Sequence, residues 1–209
     1  MKRFQILTEA DARVLDHGSS VVLVRGGQVT PLAADTLRER RVTVIRESGD
    51  GDSAALAPVS NIRTVAIGSD HNGVALKLFL RQYLRSTGLA VHDLGTDSDK
   101  AVDYPEIAAA VARQVARGEA DAGIVIDGSG MGSAIAANKI HGIRAAMCLS
   151  PTLARYARQH NGANVLSLGA SFVTEADARD VLDMFIRTAM REPRYLRRLL
   201  KIRDLETDG

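Results

Sequence analysis

The sequence holds a single cysteine, Cys148, in 209 residues. One thiol cannot close an internal disulfide and leaves no thiolate cluster for zinc, which fits a reducing compartment. No apolar run approaches the ~18 residues of a membrane-spanning helix, so no transmembrane segment is expected. The opening residues, MKRFQILTEADARV, turn acidic where an export signal would carry an apolar core. No such signal is expected, and the predicted location is cytoplasmic. Charge of one sign is scarce: 27 Lys and Arg against 25 Asp and Glu leave +2. That excess does not by itself argue for a nucleic-acid partner. No H-x-x-x-H spacing with a carboxylate on the same face is present, so no metal site is predicted. What is there is a globular balance of 45% hydrophobic and 25% charged residues, which excludes a disordered chain and a coiled coil.

Residues 48–60 (SGDGDSAALAPVS) are small and polar, contain Gly and Pro, and show no apolar period. This is a linker composition. It separates a small N-terminal extension, residues 1–47, from a larger domain, residues 61–209. The larger domain alternates strand and helix. Short apolar runs at Arg63–Gly68, Leu89–Leu94, Ala122–Ile126, Ile143–Cys148 and Val165–Leu168 read as strands. The intervening segments carry apolar residues at helical spacing, as in Leu76, Phe79, Leu80, Tyr83 and Leu84. Strands without polar alternation, each followed by a helix, imply a parallel sheet buried on both faces. The expected fold class is α/β: a Rossmann-like, doubly wound, five-stranded parallel sheet with a small α+β extension.

Such sheets place ligand chemistry at the C-terminal ends of their strands. The segments found at strand boundaries are Ser69–Gly73, Asp103–Pro105, Asp127–Ser133, Ser150–Thr152 and His160–Asn164, and polar residues are expected to gather from them on one edge of the sheet. In Asp127-Gly128-Ser129-Gly130-Met131-Gly132-Ser133, three alternate glycines let the backbone approach a ligand. Their amides, at a helix start, can face an anion or a developing oxyanion. The simpler alternative is a tight strand-to-helix turn. A dinucleotide site is disfavoured, because Ser133 stands where G-x-G-x-x-G ends in Gly and the next strand ends without an acid for a ribose hydroxyl.

The segments IGSDHNGVALK, VDYPEIA, IDGSGMGSAIAANKIHGIRAAMC and ARQHNGANVLSLGA resemble, in order, the signatures of the type B ribose-5-phosphate isomerase and galactose-6-phosphate isomerase family. The resemblance runs from about residue 63 to about 203. It implies a Rossmann-like homodimer whose active site lies at the subunit interface, and which isomerises a sugar phosphate between aldose and ketose without metal or cofactor. Carried over by residue, it assigns Asp70 and His160 to ring opening. His71 contacts phosphate or substrate, Tyr104 lines the pocket and Asn161 binds substrate. Gly128, Ser129, Gly130 and Gly132 form the loop that holds the enediolate oxygen. Arg194 and Arg198 grip phosphate, expected in the partner's site.

This sequence departs from that family at three positions. Asp127 stands where many members carry the Cys that removes the C2 proton. Ser133 stands where others carry a Glu, and Ser171 where many carry a phosphate-binding Arg. A carboxylate can serve as the base, so Asp127 is the candidate, with Ser129 as a substrate hydrogen-bonding group. A helix start would lower the pKa of Asp127 and burial would raise it; the sequence does not give the sum. The alternatives are a helix cap at Asp127, a non-catalytic sugar-phosphate-binding or assembly protein, and a nucleotide-dependent enzyme.

The C-terminal run carries Arg187, Arg191, Arg194, Arg197, Arg198, Lys201 and Arg203 against Glu192. Without an aromatic platform or a base-reading motif, no nucleic-acid partner is predicted. In the extension, Thr8 with Asp11 reads as a helix cap, Val21–Val24 and Val42–Ile45 as strands and Leu32–Arg40 as a helix. The pattern from TEAD to LRERRVTV resembles segments on enzymes of bacterial microcompartments. That implies recruitment to such a compartment; an oligomerisation arm is the alternative.

Overall fold

The computed structural model describes residues 2–46, 56–190 and 192–207. The chain divides into two compact units, residues 1–54 and 55–209. Of the stretch read as a linker, residues 48–55 lie outside the described residues. The rest of it does not hang free. Arg144 donates to the Leu56 carbonyl at 2.9 Å and Arg158 to the Val59 carbonyl at 2.7 Å, which fastens the chain where it enters the second unit.

The first unit is a three-stranded parallel sheet in sequence order, β1 (Arg3–Leu7), β2 (Ser20–Val29) and β3 (Thr43–Arg46), with helices α1 (Glu9–Arg13) and α2 (Pro31–Glu39). Thr8 caps α1 in a reciprocal box. Its amide donates to Asp11 Oδ2 at 3.0 Å, and its hydroxyl accepts from the Asp11 amide at 3.4 Å. Thr30 caps α2 ahead of Pro31. Leu7, Ala12, Leu15, Val21, Leu23, Ala33 and Leu37 form the unit's own core. Strand β1 has no counterpart in the sequence reading, because RFQIL is too short to show a period.

The second unit is a five-stranded parallel sheet in the order β5-β4-β6-β8-β7. Its elements are β4 (Thr64–Ser69), α3 (Val74–Ser86), β5 (Ala90–Asp93), α4 (Tyr104–Ala116), β6 (Ala122–Asp127), α5 (Met131–Ala137), β7 (Ala145–Met147), α6 (Pro151–Asn161), β8 (Val165–Gly169), α7 (Glu175–Arg187) and α8 (Pro193–Thr207). Every residue of β6 and β8 is buried, because helices cover both faces. On one face Leu80, Leu84, Ala154, Val181 and Phe185 pack with Ile124 and Leu166. On the other, Ala108, Val111 and Ala137 pack with Ala66 and Val125. The connection leaving β4 runs outward to β5 on one side and the connection leaving β6 runs outward to β7 on the other, with β8 returning between β6 and β7. The crevice between the ends of β4 and β6 is therefore the topological switch point. Among the described residues no helix is long and apolar enough to cross a membrane.

Candidate active site

Strands β4 and β6 pair in register, Ser69 opposite Ile126, and the Asp70 amide donates to the Ile126 carbonyl at 3.0 Å. Asp70 and Asp127 therefore emerge side by side at the switch point. Together with Tyr104, Gly128, Ser129 and Gly132 they line an open cleft of about 360 Å³. Both carboxylates are nearly buried, Asp70 at 5% and Asp127 at 4% exposure.

Each carboxylate is held by the turn that follows it. Asp70 Oδ1 accepts from the amides of Asn72 at 2.9 Å and Gly73 at 3.2 Å, and Oδ2 from the Asn72 side chain at 3.0 Å. Asp127 Oδ1 accepts from the Ser129 amide at 2.7 Å, the Gly130 amide and the Ser129 hydroxyl at 3.3 Å. Its Oδ2 accepts from the Ser133 amide at 2.8 Å. The balance left open by the sequence is now settled in direction. Burial pushes Asp127 up, but the Ser133 hydroxyl and the amides of Gly130, Ser133 and Ser129 outweigh it, and its carboxyl sits below the usual range. Asp127 is thus a loop cap and a cleft-lining anion at once. The amides of Ser129 and Gly130 face this internal carboxylate. Among the described residues those of Gly128 and Gly132 have no protein acceptor.

Two glycines shape the loop. Gly130 sits at φ +79°, and a Cβ there would lie 2.8 Å from the Gly169 amide. Gly132 lies under the Tyr104 ring, where a Cβ would approach to 2.6 Å. Gly132 thus lets Tyr104, the first residue of α4, close over the loop. His71 neighbours Asp70 through Asn72, whose side-chain nitrogen lies 3.3 Å from His71 Nε2 and 3.0 Å from Asp70 Oδ2, while His71 Nδ1 accepts from the Val102 amide at 3.4 Å.

One expectation is corrected. The His160–Asn164 turn precedes β8, so it lies at the N-terminal edge of the sheet, not with the segments that follow strands. The five residues of β8 separate the two edges by roughly 16 Å. His160, at the end of α6, stacks between Tyr156 at 4.7 Å and Tyr195 at 4.5 Å. The guanidinium groups of Arg194 and Arg198 lie 4.9 Å and 5.6 Å from the Tyr195 ring. Asn161 donates to the Tyr156 carbonyl at 3.3 Å. His160, Asn161, Arg194 and Arg198 thus form a second cluster, away from the cleft of Asp70, Tyr104, Asp127 and the glycine loop.

The sequence reading missed Tyr195, which organises this second cluster, and Ser167, whose hydroxyl reaches the loop from within β8. The only signal for Ser167 was one hydroxyl inside the aliphatic run VLSLG. Among the described residues no group of three or more His, Cys, Asp or Glu side chains could hold a metal ion. Burial raises the Cys148 thiol to about 11, which leaves it an unreactive core residue.

The sequence model described as Ribose/Galactose Isomerase matches residues 65–202. Ribose-5-phosphate isomerase B of Escherichia coli is 40% identical over 145 residues, spanning 69% of this chain and 97% of that protein. The structure of ribose-5-phosphate isomerase B from Clostridium thermocellum superposes with a TM-score of 0.69 at 42% identity, covering 69% of this chain and 98% of that one. The Mycoplasma genitalium enzyme, solved with bound ribulose-5-phosphate, gives 0.67 at 38% identity over 70% of this chain and 97% of that one. Both side-chain clusters fall inside the matched span, and the chain belongs to the ribose/galactose isomerase family.

Proposed function

We propose that this chain is an aldose–ketose isomerase acting on a sugar phosphate through a cis-enediolate. The observation that carries the reading is the meeting of Asp127, Asp70 and the glycine loop in one cleft at the switch point of a family fold. The relative from Escherichia coli is named for ribose 5-phosphate, and the Mycoplasma genitalium structure contains ribulose-5-phosphate.

In this reading Asp127 is the base. Its Oδ1 takes three donors and its Oδ2 takes the Ser133 amide, so Oδ2 is the less encumbered oxygen. It accepts the proton from C2 of the open-chain aldose and returns it to C1, while the proton of the C2 hydroxyl passes to the former carbonyl oxygen on C1, leaving C2 as the ketone. The unpartnered amides of Gly128 and Gly132 stabilise the enediolate oxygen. Tyr104 closes the wall, and the Ser129 hydroxyl is within reach of a substrate hydroxyl.

His160, Asn161, Arg194 and Arg198 enter the same reaction only from a second copy, because within one chain they sit at the other sheet edge. We therefore assign a homodimer with shared sites. His160 of one copy and Asp70 of the other open the ring, and Arg194 and Arg198 with His71 bind phosphate. The exposed apolar side chains of Met131, Ile135, Leu153 and Tyr156 support a face that a second copy covers.

The decisive measurement is incorporation of solvent deuterium at C2 across pentose and hexose phosphates. An isomerase exchanges that hydrogen; a binding protein leaves it in place. The N-terminal unit is assigned a docking or targeting role, and the likeness of its sequence to microcompartment segments supports recruitment there. A reporter fused to residues 1–60 that stays diffuse in compartment-forming cells would count against it.

A further inference from the structure

We propose that Ser167 is a positioning residue for proton transfer: its buried hydroxyl holds the Gly130 carbonyl, and so fixes the loop that aims backbone donors at Asp127. Ser167 lies in the middle of β8 with Leu166 and Leu168 on either side, all three at 0% exposure. A hydroxyl in such a strand is costly unless it is bonded. Its bond runs to the Gly130 carbonyl, at 2.5 Å.

Gly130 is thereby held at both ends. Its N–H donates to Asp127 Oδ1, and its C=O accepts from Ser167. Together they keep the residue at φ +79° and ψ −13°, a conformation glycine takes without strain. The Ala134 amide also reaches that carbonyl, but at 3.3 Å. Without the hydroxyl only this longer bond remains. The Gly130–Met131 peptide can then rotate, and the Ser129 and Gly130 amides loosen from the carboxylate. Ser167 touches no reacting atom and acts through Asp127.

The inference rests on the reading of Asp127 as the base, and two arms separate the two failures. With ribose 5-phosphate as substrate, Ser167→Ala is expected to lower kcat about tenfold and leave KM within about twofold, since substrate-binding groups are untouched. In the free protein, hydrogen–deuterium exchange of amides 128–132 is expected to quicken in Ser167→Ala while β4 and β6 keep the parent rate. A kcat within about twofold of the parent, alongside an inactive Asp127→Asn, overturns the role of Ser167 and leaves the base in place. Normal turnover in Asp127→Asn overturns the base, and the exchange arm then decides whether Ser167 holds the loop. Faster exchange across every strand would assign Ser167 to core stability alone and overturn the proposal.

Discussion

Asp70 and Asp127 end neighbouring parallel strands, locked in register by the bond from the Asp70 amide to the Ile126 carbonyl at 3.0 Å. This pairing brings residues 57 positions apart in the chain to one cleft. Both carboxylates are tied down by the amides of their own turns, so their orientation is set before any substrate arrives.

Replacing Asp127 by Asn should lower kcat by about 10²–10⁴, as expected for loss of a general base. The same change should destabilise the fold by about 1–3 kcal/mol, because an amide cannot accept on both sides and its NH₂ would face either the Ser133 amide or those of Ser129 and Gly130. Steady-state kinetics and urea unfolding check the two halves separately. Retained turnover would remove Asp127 from the proton path.

The low pKa of Asp127 makes its ionised form a contributor to folding. That contribution is complete above the unfolded carboxyl value near ~3.9 and is lost as pH falls through the lower native value. Urea unfolding at stepped pH from about 5 to about 3 should show a steeper loss in the parent than in Asp127→Asn. Parallel curves would contradict the assignment.

Shared sites can be tested by mixing two inactive variants. Asp127→Asn and His160→Ala copies, unfolded together and refolded, should regain about a quarter of parental activity, since half the dimers are mixed and each mixed dimer has one intact site. No recovery would place all the machinery in one chain.

Gly132→Ala should fold with a stability change below about 1 kcal/mol, because the Cβ meets the Tyr104 ring, which is 39% exposed and can swing away. KM should rise as the cleft wall moves. In a Tyr104→Ala background the same substitution should have no further effect, which a double-mutant cycle measures.

Arg158 is 0% exposed and donates to the carbonyls of Thr188, Ala163 and Val59, with its guanidinium 5.0 Å from the centre of the Phe185 ring. Arg158→Met keeps the stem but orphans those carbonyls, and should cost roughly 3 kcal/mol or more in urea unfolding. An unchanged midpoint would mean that water replaces the guanidinium.

Much of this molecule was legible in its sequence. The five apolar runs of the second unit became strands because both sheet faces are covered, and the Thr8–Asp11 cap formed because short-range hydrogen bonds need no tertiary partner. The glycine loop and its neighbouring acids followed from local spacing and from the resemblance. The sequence could not place the His160 turn. Loops before and after a strand look alike in one dimension, and only the parallel direction of β8 puts them at opposite edges. Nor could it sum burial against hydrogen bonding at Asp127, because those donors take their aim from the left-handed Gly130 and from Ser167 across the sheet. Local pattern and residue chemistry fixed the elements and the candidate groups. Tertiary packing decided which of them share a cleft, since proximity and dielectric are properties of the folded surroundings.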